Sequence, residues 1–232
     1  LNFLKILEKL KNSKYLNIRC LSVHIGSQIT DYRPYTKMIS VVDKIIKKSN
    51  HKFDFIDLGG GMGIKYDNKT KSLNYKKYNL KIKQFLKKNN TKIIFEPGRS
   101  IIADTAVLLT KIIYIKKTKN KNFIILDAGM NDLIRPALYG STHQIIPIKK
   151  NNQIINKIHD FVGPICESTD KFLSLKKYQK VNEKDILAIY DVGAYGMVLS
   201  SNYNLRTKPP EIMINKSSLR VILKRQKLNN II

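Results

Sequence analysis

At 232 residues, of which 43% are hydrophobic, the chain can bury a sizeable core as one large domain or two modest ones. No uncharged apolar run approaches the roughly 18 residues of a membrane-spanning helix, so no membrane partner is expected. The net charge of +26 invites a nucleic-acid reading, but its lysines recur in almost every expected helix and loop instead of forming one basic stripe. Salt-sensitive nonspecific adhesion is expected, and no specific nucleic-acid partner. The two cysteines, Cys20 and Cys166, form neither a disulfide framework nor a metal-ligand spacing. No metal is expected, and a reducing cytoplasm is the expected compartment.

In chain order, Phe3, Leu4, Leu7 and Leu10 share one helical face that Asn12 and Ser13 end. Leu21, Val23 and Ile25 alternate with Ser22 and His24, which predicts a strand with His24 on its far face. Tyr35, Met38, Ile39, Val42, Ile45 and Ile46 then make a helical stripe, with Pro34 where a first turn tolerates proline. The cycle repeats with a strand through Phe55, Ile56 and Leu58, a helix including Ile82, Phe85 and Leu86, and a strand through Ile93, Ile94 and Phe95. His24, Gly59 and Glu96 end the three strands at intervals of 35 and 37 residues, the length of successive βα units with parallel strands. That spacing fits a barrel or an open sheet equally well.

Past residue 105 the helical pattern gives way to short β-rich runs at Val107 to Ile115, Phe123 to Leu126, Ile186 to Tyr190 and Ile212 to Ile214. Residues 1–105 therefore read as an α/β domain and 106–232 as a β-rich one. Lys116 to Asn122 reads as an exposed hairpin loop.

The strand ends carry chemistry. Asp57-Leu58-Gly59-Gly60-Gly61-Met62-Gly63 offers bare backbone to a phosphate, yet it lacks the spacing of dinucleotide and P-loop motifs. Glu96-Pro97-Gly98-Arg99 puts an anion, a turn and a cation within four residues, enough to serve one charged ligand. His24, in Val23-His24-Ile25-Gly26-Ser27, offers an imidazole face beside a hydroxyl. In the β-rich part, Asp127 to Tyr139 holds Arg135 and Tyr139 four residues apart, suited to a carboxylated substrate. Gly163-Pro164-Ile165-Cys166-Glu167-Ser168 sets a proton donor beside an anion, although a cysteine packs more often as a small apolar group. Asp191-Val192-Gly193-Ala194-Tyr195-Gly196 ends a strand with a tyrosine between glycines, which also reads as a bulge or turn.

Taken in this order, VHIGSQI, DLGGGMGI, EPGRS, DAGMNDLIRPALYG, GPICES and DVGAYGMVLSSNYN closely resemble the diaminopimelate decarboxylase family. The resemblance implies α/β plus all-β architecture: part of a (β/α) barrel that binds pyridoxal 5'-phosphate (PLP), followed by a C-terminal β-domain. It further implies a homodimer with shared active sites. His24 is expected to stack on the cofactor ring and Glu96 to pair with its ring nitrogen. Ser27, Gly60, Gly61 and the Gly98-Arg99 corner are expected to hold its phosphate, and Pro97 to lie among the cofactor-binding residues. Arg99, Arg135, Tyr139 and Glu167 are expected to bind meso-diaminopimelate, Tyr195 to touch cofactor and substrate, and Cys166 to donate a proton, the last with Glu167 reaching the partner subunit's site. The implied reaction yields L-lysine and carbon dioxide.

Members of that family carry their Schiff-base lysine on an early barrel strand in an alanine-lysine-alanine-asparagine-like context, a setting that no lysine has here. About the first two-fifths of the barrel are accordingly expected upstream, in cis or as a separate piece, and these 232 residues alone are expected to be inactive. Sibling ornithine, arginine or carboxynorspermidine decarboxylases are the nearest rivals. Glu167 argues against the ornithine type, where an aspartate is expected after the cysteine. A noncatalytic relic or a basic RNA-associated protein is the reading from another class.

Overall fold

The computed structural model describes residues 2–67 and 70–231. The chain divides into two compact units, Leu1–Ile101 and Ile102–Ile232. The first contains α1 (Asn2–Leu10), β1 (Cys20–Ser22), α2 (Tyr32–Ser49), β2 (Phe55–Asp57), α3 (Tyr75–Lys88) and β3 (Lys92–Ile94). Each strand returns through a helix to lie parallel to the last, giving a sheet in the order β1-β2-β3.

Local chemistry sets the helix limits. Asp31 caps α2 by accepting the Arg33 N–H at 3.0 Å, and Asn50, in the left-handed region at φ 47°, ends it. Between them Tyr35, Met38, Ile39 and Val42 recur at helical spacing and are buried with Ile56, Leu58 and Phe85 in one core. Burying each such side chain contributes about 1.5–3 kcal/mol. In α1 only Leu7 of the expected stripe is buried, while Phe3 and Leu10 remain 39% and 38% exposed. β1 stops at Ser22, short of the Leu21 to Ile25 alternation. His24 therefore lies beyond the strand and not on its far face.

The second unit is β-rich. Its main sheet runs β6-β11-β4-β5-β8-β9, where β4 is Leu108–Lys117, β5 Lys121–Leu126, β6 Ile145–Pro147, β8 Ile158–Val162, β9 Lys171–Leu175 and β11 Ile186–Ile189. Neighbours are antiparallel except β5 and β8. β7 (Ile154–Ile155) pairs with β10 (Tyr178–Gln179), and β12 (Glu211–Asn215) with β13 (Ser218–Leu223). Ile112, Ile124, Leu126, Phe161, Leu187 and Ile189 form its core.

The lysine-rich stretch at Lys116 to Asn122 is mostly strand and not loop. Lys116 pairs with Phe123 and Lys117 with Asn122, leaving only residues 118–120 to turn the chain. Long polar side chains fit the outward face of a strand as well as a loop, and the Thr118 hydroxyl donates to the Lys121 carbonyl at 2.7 Å to close the turn. Among the described residues no helix is long and apolar enough to cross a membrane.

Candidate functional site

In the first unit the loops after the three strands meet. Backbone bonds extend the sheet past its strands: Val23 N–H to Asp57 O at 2.9 Å, Leu58 N–H to Ile94 O at 3.0 Å, and Glu96 N–H to Gly59 O at 2.9 Å. The glycine run makes this approach possible. A Cβ on Gly60 would stand 2.1 Å from the Glu96 carbonyl oxygen, and one on Gly61, at φ +85°, would stand 2.2 Å from the Gly26 carbonyl oxygen. The glycines are thus required by backbones crowding one another, a demand that the motif does not reveal. Asp57 braces the turn, its carboxylate accepting Gly59 N–H at 2.8 Å and the Ser22 hydroxyl at 3.0 Å. The buried Tyr35 hydroxyl donates to the Gly60 carbonyl at 3.2 Å, and burial pushes that phenol up to about 12.

Around this hub stand polar groups that a ligand can reach. His24 is exposed, and its Nδ1 accepts the Gly60 N–H at 3.4 Å. Ser27 and Arg99, distant in sequence, come together: Arg99 Nη2 donates to Ser27 Oγ at 3.1 Å and Nη1 to the Tyr66 hydroxyl at 2.6 Å. The guanidinium carbon also lies 5.7 Å from the Tyr66 ring centroid. Arg99 opens the short helix α4 (Arg99–Ile102), whose turn is closed by Ile101 N–H to Gly98 O at 3.0 Å. Glu96 and Gly98 are exposed and Pro97 half-buried. A hydroxyl beside a guanidinium suits a phosphate, an exposed carboxylate suits a protonated ring nitrogen, and an exposed imidazole offers a flat face. The set fits a phosphorylated pyridine.

The second unit carries another cluster. Arg135 begins α5 (Arg135–Tyr139), which ends at Gly140 with φ 60°. Its side chain is only 4% exposed, with Nη1 3.0 Å from Nε2 of His143, whereas Tyr139 is 66% exposed. The Cys166 loop is held from beneath by Asp170, whose buried carboxylate accepts Ile165 N–H and Met130 N–H, each at 2.7 Å. One side chain thereby ties the segment that bears Arg135 to the segment that bears Cys166. Burial raises the Asp170 carboxyl despite those two bonds and the Arg206 charge.

Cys166 itself is exposed, so the small-apolar-group alternative does not describe it. Next to it, the exposed Glu167 accepts the Tyr203 hydroxyl at 2.5 Å, a bond that holds the Tyr203 phenol up. Tyr195 sits at φ +60°, in the left-handed region that a bulky residue seldom adopts, and is 43% exposed. Tyr66, His143, Asp170 and Tyr203 were not singled out individually from the sequence. Asp170 and Tyr203 lie beside or within quoted motifs, but no periodicity or spacing marks Tyr66 or His143.

The chain is similar to known proteins over most of its length. The family described as "Pyridoxal-dependent decarboxylase, C-terminal sheet domain" matches residues 29–193. Diaminopimelate decarboxylase of Zymomonas mobilis subsp. mobilis is 40% identical over 97% of this chain and 54% of its own length. That of Aquifex aeolicus is 39% identical over 97% of this chain and 53% of its own. A crystal structure of the Helicobacter pylori diaminopimelate decarboxylase complexed with L-lysine superposes with a TM-score of 0.90 at 38% identity, over 99% of this chain and 57% of that one. The chain thus spans about half the length of the curated relatives that it matches.

Proposed function

This chain belongs to the pyridoxal-dependent decarboxylase family, and from that premise we propose that it forms part of an enzyme that converts meso-diaminopimelate to L-lysine and carbon dioxide. The observation that carries this reading is the 40% identity, across 97% of the chain, to a relative named for that reaction. Bound PLP supplies an electron sink for the pair released when the carboxylate departs.

The chain's own residues do the rest. His24 packs its imidazole face on the ring and Glu96 keeps the ring nitrogen protonated. Ser27, Gly60, Gly61, Pro97, Gly98 and Arg99 surround the phosphate. Arg99, Arg135, Tyr139, Glu167 and Tyr195 hold the substrate's charged ends, which determines the carboxylate that is presented for loss. Cys166 returns a proton to the carbon that lost its carboxylate. The working protein is a homodimer in which Cys166 and Glu167 serve the partner subunit's site.

Side-by-side turnover of meso-diaminopimelate, ornithine and arginine by the full-length protein tests the substrate. Faster turnover of ornithine or arginine would overturn it.

A further inference from the structure

His143 lies outside every motif considered so far, yet it is 1% exposed and bonded on both ring nitrogens. Nδ1 is 2.8 Å from the carbonyl oxygen of Tyr190, just past β11, and Nε2 is 3.0 Å from Nη1 of Arg135. A carbonyl can only accept, so Nδ1 carries the hydrogen. A guanidinium can only donate, so Nε2 presents its lone pair. Both neighbours therefore demand the same neutral tautomer. Tyr190 is itself pinned, its N–H donating to the Gln144 carbonyl at 2.9 Å, so the ring is anchored to the end of a core strand.

We propose that His143 is a positioning residue for Arg135: a neutral imidazole that aims a buried guanidinium without neutralising it. A carboxylate in its place would hold the arginine equally well but cancel the charge that an anionic ligand needs. A backbone carbonyl would be neutral but could not be placed by a side-chain rotamer. The imidazole fixes one N–H of the fork and places no negative charge beside it. The proposal rests on the reading of Arg135 as a carboxylate-binding residue.

The test compares His143→Asn with His143→Gln in the full-length protein, with thermal melting as the check on folding. Asparagine can keep a bond to the Tyr190 carbonyl but does not reach Arg135, whereas the glutamine oxygen can accept where Nε2 does. Asparagine is expected to raise KM for meso-diaminopimelate about tenfold or more, with kcat within about threefold, the loss due to one hydrogen bond from a charged donor. Glutamine recovers most of that loss. In an Arg135→Lys background the asparagine change should add nothing, because a residue that acts through Arg135 has nothing left to aim.

An unchanged KM, equal losses in the two variants, additive losses in the Arg135→Lys background, or loss of folded protein in either variant overturns the proposal. If ornithine or arginine proves to be the substrate, the substrate reading fails separately. The same KM comparison then applies to that substrate's carboxylate.

Discussion

Cys166 is exposed and adjacent to Glu167, which is itself held by Tyr203, so its thiol is open to the proton-donor role proposed for it. A proton donor acts mainly in the transition state. Cys166→Ala should therefore lower kcat of the full-length protein by about 100-fold with KM within about threefold. Steady-state kinetics measures the split, and an unchanged kcat would remove Cys166 from the chemistry. Asp160 shows the opposite use of a charged group, a purely structural one. Burial alone would raise its carboxyl, but bonds from Lys121, Ser174 and Lys171 outweigh burial and hold it down to about 2. A depressed folded value stabilises the fold above the unfolded value and loses that contribution as pH falls, here between about 4 and about 2. Acid unfolding followed by circular dichroism should show this loss in the native protein and a shallower slope in Asp160→Asn. Equal slopes would mean that the two lysines contribute nothing through Asp160.

The element that organises the first unit is the loop after β2. Its glycines allow the loops after β1 and β3 to touch it, and Asp57 and Tyr35 clamp it from two sides. Gly60→Ala places a methyl group 2.1 Å from a backbone oxygen, which no side-chain rotation can relieve. The loop bearing Glu96 must move, at a cost of about 2 kcal/mol or more. The measurable outcome is a lower melting temperature together with weaker PLP binding, followed by cofactor absorbance. A variant that melts and binds like the parent would show that the loop relaxes freely.

At the scale of the molecule, a three-stranded parallel α/β unit is followed by a sheet domain, and family likeness identifies the first as part of a barrel. The proposed homodimer with shared sites makes a distinctive prediction. Full-length Cys166→Ala and Glu96→Gln proteins, each nearly inactive, should regain about a quarter of the parent activity when their subunits are mixed and re-paired. Random pairing makes half of the dimers mixed, and each mixed dimer has one site free of both changes. Mixtures that stay as inactive as their components would place Cys166 and Glu96 in the same subunit's site.

Much of this architecture is legible in the residue order, because βα units announce themselves through two local periodicities and a repeat length. The existence of the three strands and the buried stripe of α2 need no tertiary information, although the first strand stops at Ser22, short of the His24 that its alternation includes. Six ordered motifs were likewise enough to indicate the family and its cofactor. Spacing could not distinguish a barrel from an open sheet, since closure depends on strands far apart in sequence. Nor could it show that Lys116 and Lys117 lie in a strand, because a polar residue on an outward face resembles one in a loop. The Ser27–Arg99 contact, the Asp170 brace and the His143–Arg135 bond were hidden for the same reason. Each joins residues that no local pattern couples, and a hydrogen bond between two side chains exists only once the fold has brought both to the same place.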